Sequence, residues 1–180
     1  KNFYVHVGYD PFGLLKAITD VFRGKKLRGA STITQQVMKN FLLSGERTGK
    51  RKIRELILAF RIERVLDKND ILNVYLNEIY LGQGAYGVTA ASITYFGKPL
   101  EQLNIAEAAY LAALPKAPSF YHPIKQKKRS IGRRNFVIRE LSENGYISKK
   151  EAEKYSAYAL STKLSRSYDS KDLSLSSLFV

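Results

Sequence analysis

The chain has 180 residues, 44% of them hydrophobic, and its 30 Lys+Arg against 16 Asp+Glu give a net charge of +14. That is enough for one well-cored domain and too little for two large ones. The absence of cysteine excludes disulfides and thiol catalysis; no apolar run approaches a membrane span, and no signal-peptide pattern opens the chain.

The charge is uneven. Residues 23–68 carry 13 basic and 4 acidic side chains, residues 71–115 carry 1 against 3, and residues 116–154 carry 11 against 4. Such a field attracts nucleic acid, anionic headgroups or a polyphosphorylated substrate, and composition does not choose among them.

In chain order, Lys1 already lies in sequence that reads as structured, as in an excised domain. Asp10-Pro11 marks a helix start, and Phe12, Leu15, Ile18 and Phe22 recur at helical spacing before Arg23, Lys25, Lys26 and Arg28. An apolar helix abutting a basic cluster describes an interfacial membrane segment and an ordinary core helix equally well.

Gly29-Ala30-Ser31-Thr32-Ile33-Thr34-Gln35-Gln36 then opens a second helix, with Ser31 as the expected N-cap. Ser31, Gln35 and Lys39 form one polar stripe with Gln36 beside it, while Ile33, Val37 and Phe41 face a core. Hydroxyl, amide and ammonium donors near a helix N-terminus suit an anionic ligand, phosphate above all.

After a glycine-containing loop at 44–50, Arg51, Lys52 and Glu55 share a helix face. On spacing alone this is either a surface ion pair or a carboxylate held among cations at a phosphate-handling site. The segment 51–66 is apolar on more than one side and reads as a largely buried central helix. Asp67 caps the next helix, which carries Ile71, Val74, Tyr75 and Ile79. Gly82, Gly84 and Gly87 form a Gly-x-Gly-x-x-Gly string, but a helical pattern precedes it where a dinucleotide fold needs a strand. Tight backbone packing, or close passage by a ligand, explains it better.

Farther on, Asn104 with Glu107 and Ser148 with Glu151 make capping boxes, Pro115 and Pro118 stop a short apolar helix, and Asn144-Gly145 ends a basic one. From residue 161 the chain turns serine-rich and reads as linker or tail. With almost no period-2 alternation and no internal repeat, the fold is expected to be all-α.

Together these blocks resemble the peptidoglycan glycosyltransferase domain, family 51, of class A penicillin-binding proteins and monofunctional transglycosylases, and the chain's length and Lys/Glu-rich helices are similar to the bifunctional 1A type. Phe3-Tyr4-Val5-His6-Val7-Gly8-Tyr9-Asp10 is similar to the end of that family's first motif. Gly29–Gln36 and Arg51-Lys52-Ile53-Arg54-Glu55 resemble its second and third. Ile71–Tyr80 with Gly82, Gly84 and Gly87 resembles the fourth, and Glu107-Ala108-Ala109 through Pro118 with Tyr121-His122-Pro123 the fifth.

The resemblance implies an all-α fold with a lysozyme-like large lobe and a smaller membrane-facing jaw lobe. It places the domain at 1–160, the jaw at about 11–50 and a tail at 161–180. It implies polymerisation of lipid II into a growing glycan strand: the acceptor 4-hydroxyl attacks the donor anomeric carbon with inversion and expels undecaprenyl pyrophosphate. Of the residues here it assigns Glu55, Lys52 and Arg51 to catalysis, and Ser31, Thr32, Gln35, Gln36, Lys39, Arg47, Asn77, Tyr80 and Gly84 to substrate binding. The family's catalytic base is a glutamate in a Glu-Asp pair expected just before Lys1, and without it the chain is expected to be impaired.

No cofactor is required and no metal ligand set is expected, though a divalent cation has room between pyrophosphate and Glu55. His6 is expected to hold a structural hydrogen-bonding role beside the cleft. The implied partners are lipid II, the glycan strand, the bilayer surface and phosphoglycolipid inhibitors of the moenomycin type, with no nucleic acid. The implied location is the outer face of the bacterial cytoplasmic membrane, behind an upstream transmembrane anchor. Two other readings compete: a lysozyme-like lytic glycosidase, which needs an acidic pair across a glycosidic bond, and a basic nucleic-acid-binding module, for which the aromatic interleaving is missing.

Overall fold

The computed structural model describes residues 3–6, 8, 19, 23, 31–42 and 49–164. Most of the expected jaw segment, Arg47 and the tail from 165 lie outside the described residues. The described part is helical, and its only sheet-like pairing is an isolated bridge between Tyr80 and Tyr86. The chain divides into two compact units, Lys1–Asn77 and Glu78–Val180.

In the first unit, α1 spans Ile33–Leu42, α2 spans Gly49–Ile62, and α3 spans Lys68–Glu78 across the division. The N-cap of α1 is Thr32, whose Oγ1 accepts the Gln35 N–H at 3.2 Å, and not Ser31 as the sequence predicts. Both hydroxyls have the right chemistry, and neighbouring chain decides: the Thr32 hydroxyl also donates to the Gly8 carbonyl at 2.9 Å, which turns it inward.

Val37, Met38, Ala59 and Ile71 make the core of this unit, with Phe3, Ile33, Leu58, Ile62, Val74 and Tyr75 packed around them. Full burial of such side chains contributes about 1.5–3 kcal/mol each. Helix α2 departs from the expected buried central helix. Glu55 and Ala59 face inward, whereas Ile53, Leu56, Ile57 and Phe60 are 60%, 40%, 48% and 38% exposed. Its apolar residues lie on two sides, and the core of the unit takes one. The helix also stops at Ile62, and a turn through Glu63–Val65 leads to Asp67, whose Oδ1 caps α3 by accepting from Asp70 N at 2.8 Å.

The second unit begins with the glycine string. Gly82, Gly84 and Gly87 all have positive φ. A Cβ on Gly82 would lie 2.7 Å from the Tyr95 hydroxyl and 3.0 Å from Pro118 Cβ, so this glycine serves close packing. Helices α4 (Val88–Phe96), α5 (Ile105–Ala113), α6 (Lys127–Glu143) and α7 (Lys149–Ala157) follow, with 3-10 turns at Leu114–Lys116 and Pro118–Tyr121. The capping boxes of Asn104 with Glu107 and Ser148 with Glu151 form as the sequence predicts.

Ala106, Ala109 and Ile138 join α5 to α6, and Val137, Ile147, Ala152 and Tyr155 close around them. Alanines at this contact let the two helix backbones approach closely. The rings of Tyr95 and Tyr110 meet edge to face at 5.6 Å. Burial, aided by the neighbouring Tyr80, pushes the Tyr95 phenol up to about 12, and it donates to the Leu81 carbonyl at 2.8 Å.

Arg134 on α6 is 1% exposed, and its guanidinium donates to the carbonyls of Tyr158 at 2.7 Å and Ser156 at 3.0 Å, with Nε on Asn135 Oδ1. It thereby closes the C-terminal end of α7. Charge-assisted hydrogen bonds contribute about 1.5–3 kcal/mol each, and buried carbonyls left unpaired are costly. Arg134→Met is therefore expected to lower unfolding stability by about 2–4 kcal/mol. Urea unfolding checks this, and a loss below about 1 kcal/mol would mean that water takes over the carbonyls.

Candidate functional site

The first unit brings Ser31, Gln35, Arg51, Lys52 and Glu55 together. Lys52 donates from Nζ to Ser31 Oγ at 2.8 Å, Glu55 Oε2 at 2.9 Å and Gln35 Oε1 at 3.2 Å. An ammonium has three protons, and here three oxygens surround it. Arg51 approaches the other carboxylate oxygen, with Nε 3.4 Å from Glu55 Oε1. The Glu55 side chain is 5% exposed, while Lys52 is 46% and Arg51 18% exposed. A buried carboxylate thus anchors two cations that reach toward solvent. The pair Arg51/Lys52 with Glu55 is half of a built cluster, since the polar end of α1 supplies the other half.

This arrangement fits an anionic ligand. The cluster carries two positive charges against one negative, and Ser31 is exposed beside it. An arriving phosphate oxygen can replace Ser31 or Gln35 at Lys52 without uncovering Glu55. No three His, Asp or Glu side chains converge among the described residues, and both Glu55 oxygens face cations.

The other expected site residues divide. Thr32 and Gln35 are buried, and both donate to the Gly8 carbonyl, at 2.9 and 3.3 Å. Gln36 is half-buried, and Lys39 is exposed one turn farther along α1. Asn77 is exposed and donates to the carbonyl and the side chain of Asn73, both at 2.9 Å. Tyr80 and Gly84 belong to the second unit, where Tyr80 is 42% exposed and packs against Tyr86, and Gly84 turns at φ +72° with open space around it. Arg47 lies outside the described residues.

Sequence reasoning missed Glu63, Thr34 and Lys68. The Glu63 side chain is 4% exposed and accepts from Gly8 N, Thr34 Oγ1 and Lys68 Nζ, the last at 2.7 Å. Lys68 also donates to the His6 carbonyl and lies 4.9 Å from the Phe3 ring centroid. The His6 Nδ1 lies 4.0 Å from Glu63 Oε1. The one sequence signal was Glu63 and Lys68 flanking a helix break, which also describes a solvated turn.

A family model described as transglycosylase matches residues 1–142. Penicillin-binding protein 1A of Aquifex aeolicus is 46% identical over 173 residues, covering 96% of this chain and 24% of that protein. Penicillin-binding protein 1A of Escherichia coli is 49% identical over 152 residues, covering 84% of this chain and 18% of the other. The crystal structure of penicillin-binding protein 1A from Haemophilus influenzae matches with a TM-score of 0.48 and 36% identity, over 73% of this chain and 17% of that one. The chain thus spans about a fifth of the length of these relatives. With the family model matched over residues 1–142 and relatives near half identical over most of its length, this chain belongs to the transglycosylase family.

Proposed function

We propose that this chain is a peptidoglycan glycosyltransferase that polymerises lipid II into glycan strands. The observation that carries the reading is the Lys52 ammonium, seated on Ser31, Gln35 and Glu55 beside Arg51, in a chain of the transglycosylase family. In the reaction the acceptor 4-hydroxyl attacks the donor anomeric carbon from the face opposite the leaving group. The bond to undecaprenyl pyrophosphate breaks, and the configuration inverts. Charge grows on the departing pyrophosphate, and donors fixed in advance at that position lower the barrier more than donors that must reorganise.

Lys52 and Arg51 supply that stabilisation, and Glu55 orients both. With its two oxygens directed at cations, Glu55 anchors the site. The acceptor proton goes to the glutamate expected immediately before Lys1. Ser31, Gln36 and Lys39 extend the anionic-ligand surface and Thr32 and Gln35 support it from within, while Arg47, Asn77, Tyr80 and Gly84 are further substrate-binding residues by the family resemblance. Phosphoglycolipids of the moenomycin type compete for the same cations. The reaction takes place at the outer face of the cytoplasmic membrane, with a jaw at about 11–50 against the bilayer and an anchor upstream.

A lytic glycosidase is the poorer reading, because it needs a proton-donating carboxyl facing the glycosidic oxygen. The test is glycan-strand formation from labelled lipid II, comparing the chain as written with one extended by Glu-Asp before Lys1. Strands from the longer chain only are the expected result. Strands from both would keep the function and make Glu55 the base. Absence of both polymerisation and lipid II binding, with detergent and lipid supplied, would overturn the reading.

A further inference from the structure

We infer that Glu63 is a positioning residue for the Lys52 site, acting through the backbone of Gly8 and the side chain of Gln35. The inference rests on the reaction proposed above for its kinetic consequence, and on the hydrogen bonding alone for its structural one. Gly8 is the junction. Its N–H donates to Glu63 Oε2, and its carbonyl accepts from Thr32 Oγ1 at 2.9 Å and Gln35 Nε2 at 3.3 Å. Gln35 then offers Oε1 to Lys52 Nζ at 3.2 Å, and Lys52 reaches Glu55 at 2.9 Å. A line of hydrogen bonds, continued through the backbone of Gly8 from its N–H to its carbonyl, therefore joins one buried carboxylate to the other.

The chemistry of each link gives the line a direction. A carboxylate only accepts, so Glu63 fixes the Gly8 N–H, and the Gly8 backbone torsions relate that amide to the Gly8 carbonyl of the next peptide unit, which accepts from α1. That carbonyl holds the amide nitrogen of Gln35, which leaves the amide oxygen as the group facing Lys52. If release of the Gly8 N–H let the Gly8 torsions change and the carbonyl turn away, Gln35 would lose the partner that sets which end of its amide meets the ammonium. Glu63 is itself held by Thr34 Oγ1 and Lys68 Nζ, and Lys68 secures the same segment again through the His6 carbonyl. Glu63 touches neither Lys52 nor Glu55, so its effect is one of orientation.

Glu63→Gln keeps length and shape but presents an amide where only acceptors belong. In a chain carrying the upstream Glu-Asp, it is expected to lower kcat for lipid II roughly tenfold or more, with KM changed far less, since small misplacements of a catalytic group are costly. Adding it to Gln35→Ala is expected to cost less than about twofold further, because the two act through one link. An unchanged kcat, or losses that multiply in the double variant, would overturn the inference.

A second measurement does not depend on the reaction. Hydrogen exchange of the Gln35 side-chain amide is expected to accelerate in Glu63→Gln while the amides of α2 keep their protection. If the chain carrying the upstream Glu-Asp neither polymerises nor binds lipid II, the function proposed above falls and this exchange decides the inference alone, with unchanged exchange overturning it. Should Glu63→Gln fail to fold, Thr34→Val removes one donor to the carboxylate and takes its place. A smaller acceleration supports the inference, and none overturns it.

Discussion

In a chain carrying the upstream Glu-Asp, replacing Lys52 by alanine is expected to reduce lipid II polymerisation by roughly two to three orders of magnitude, the cost of removing one fixed donor from a developing anion. Lys52 is bonded to both ends of the site: to Ser31 and Gln35 at α1 and to Glu55 on α2. Its removal leaves Arg51 as the cation on Glu55, so the buried carboxylate keeps one partner. Because Lys52 is nearly half exposed, the lost ion pair is worth at most about 1 kcal/mol of stability. Activity should collapse while the fold survives, and steady-state kinetics beside a thermal melt separates the two. Lys52→Arg retains charge but replaces a three-pronged ammonium by a planar fork, and is expected to recover only part of the rate. A Lys52→Ala enzyme within tenfold of wild type would move leaving-group stabilisation away from this cluster.

Gly8→Ala is expected to be the most damaging change of a single methyl group in the first unit. Gly8 sits at φ +73°, and an added Cβ would lie 2.9 Å from the carbonyl carbon and oxygen of Ala59 and 3.0 Å from Phe60 N. These are backbone atoms of α2, which cannot swing aside as a side chain would. The left-handed conformation costs about 1–2 kcal/mol for a residue with a Cβ, and forced overlap adds about 1–3 kcal/mol. The expected loss is about 2–5 kcal/mol, together with rupture of the Gly8 contacts to Glu63 and Gln35. Gly84→Ala provides the control. Its φ is +72°, but nothing lies within 4 Å of the new Cβ, so only the conformational cost remains. Denaturant unfolding of the two variants isolates the overlap, and equal losses would mean that Gly8 and α2 move apart freely.

The elements were largely legible because the signals that set them are local. Asn104 and Glu107 satisfy one another three residues apart, and Asn144-Gly145 ends α6 by its own backbone preference. Arg51, Lys52 and Glu55 face the same way because helical spacing requires it. The N-cap of α1 was misplaced by one residue, because Ser31 and Thr32 are equivalent by composition and only the Gly8 carbonyl distinguishes them. Helix α2 was expected to be more buried than it is, since apolar content on two sides of a helix does not say which side its own unit covers.

By itself, the sequence determined the helical class, the capping boxes, the family motifs and the set of residue types able to hold a pyrophosphate. Tertiary structure decided how those residues divide the work. It turned Gln35 inward and Lys52 across to Ser31, which lies 21 residues away. It also made Glu63, an unremarked acid in a turn, the buried partner of a backbone amide 55 residues earlier. The physical reason is range. Periodicity and capping depend on neighbours within a few residues, whereas a buried carboxylate is stable only where packing delivers its donors from distant chain.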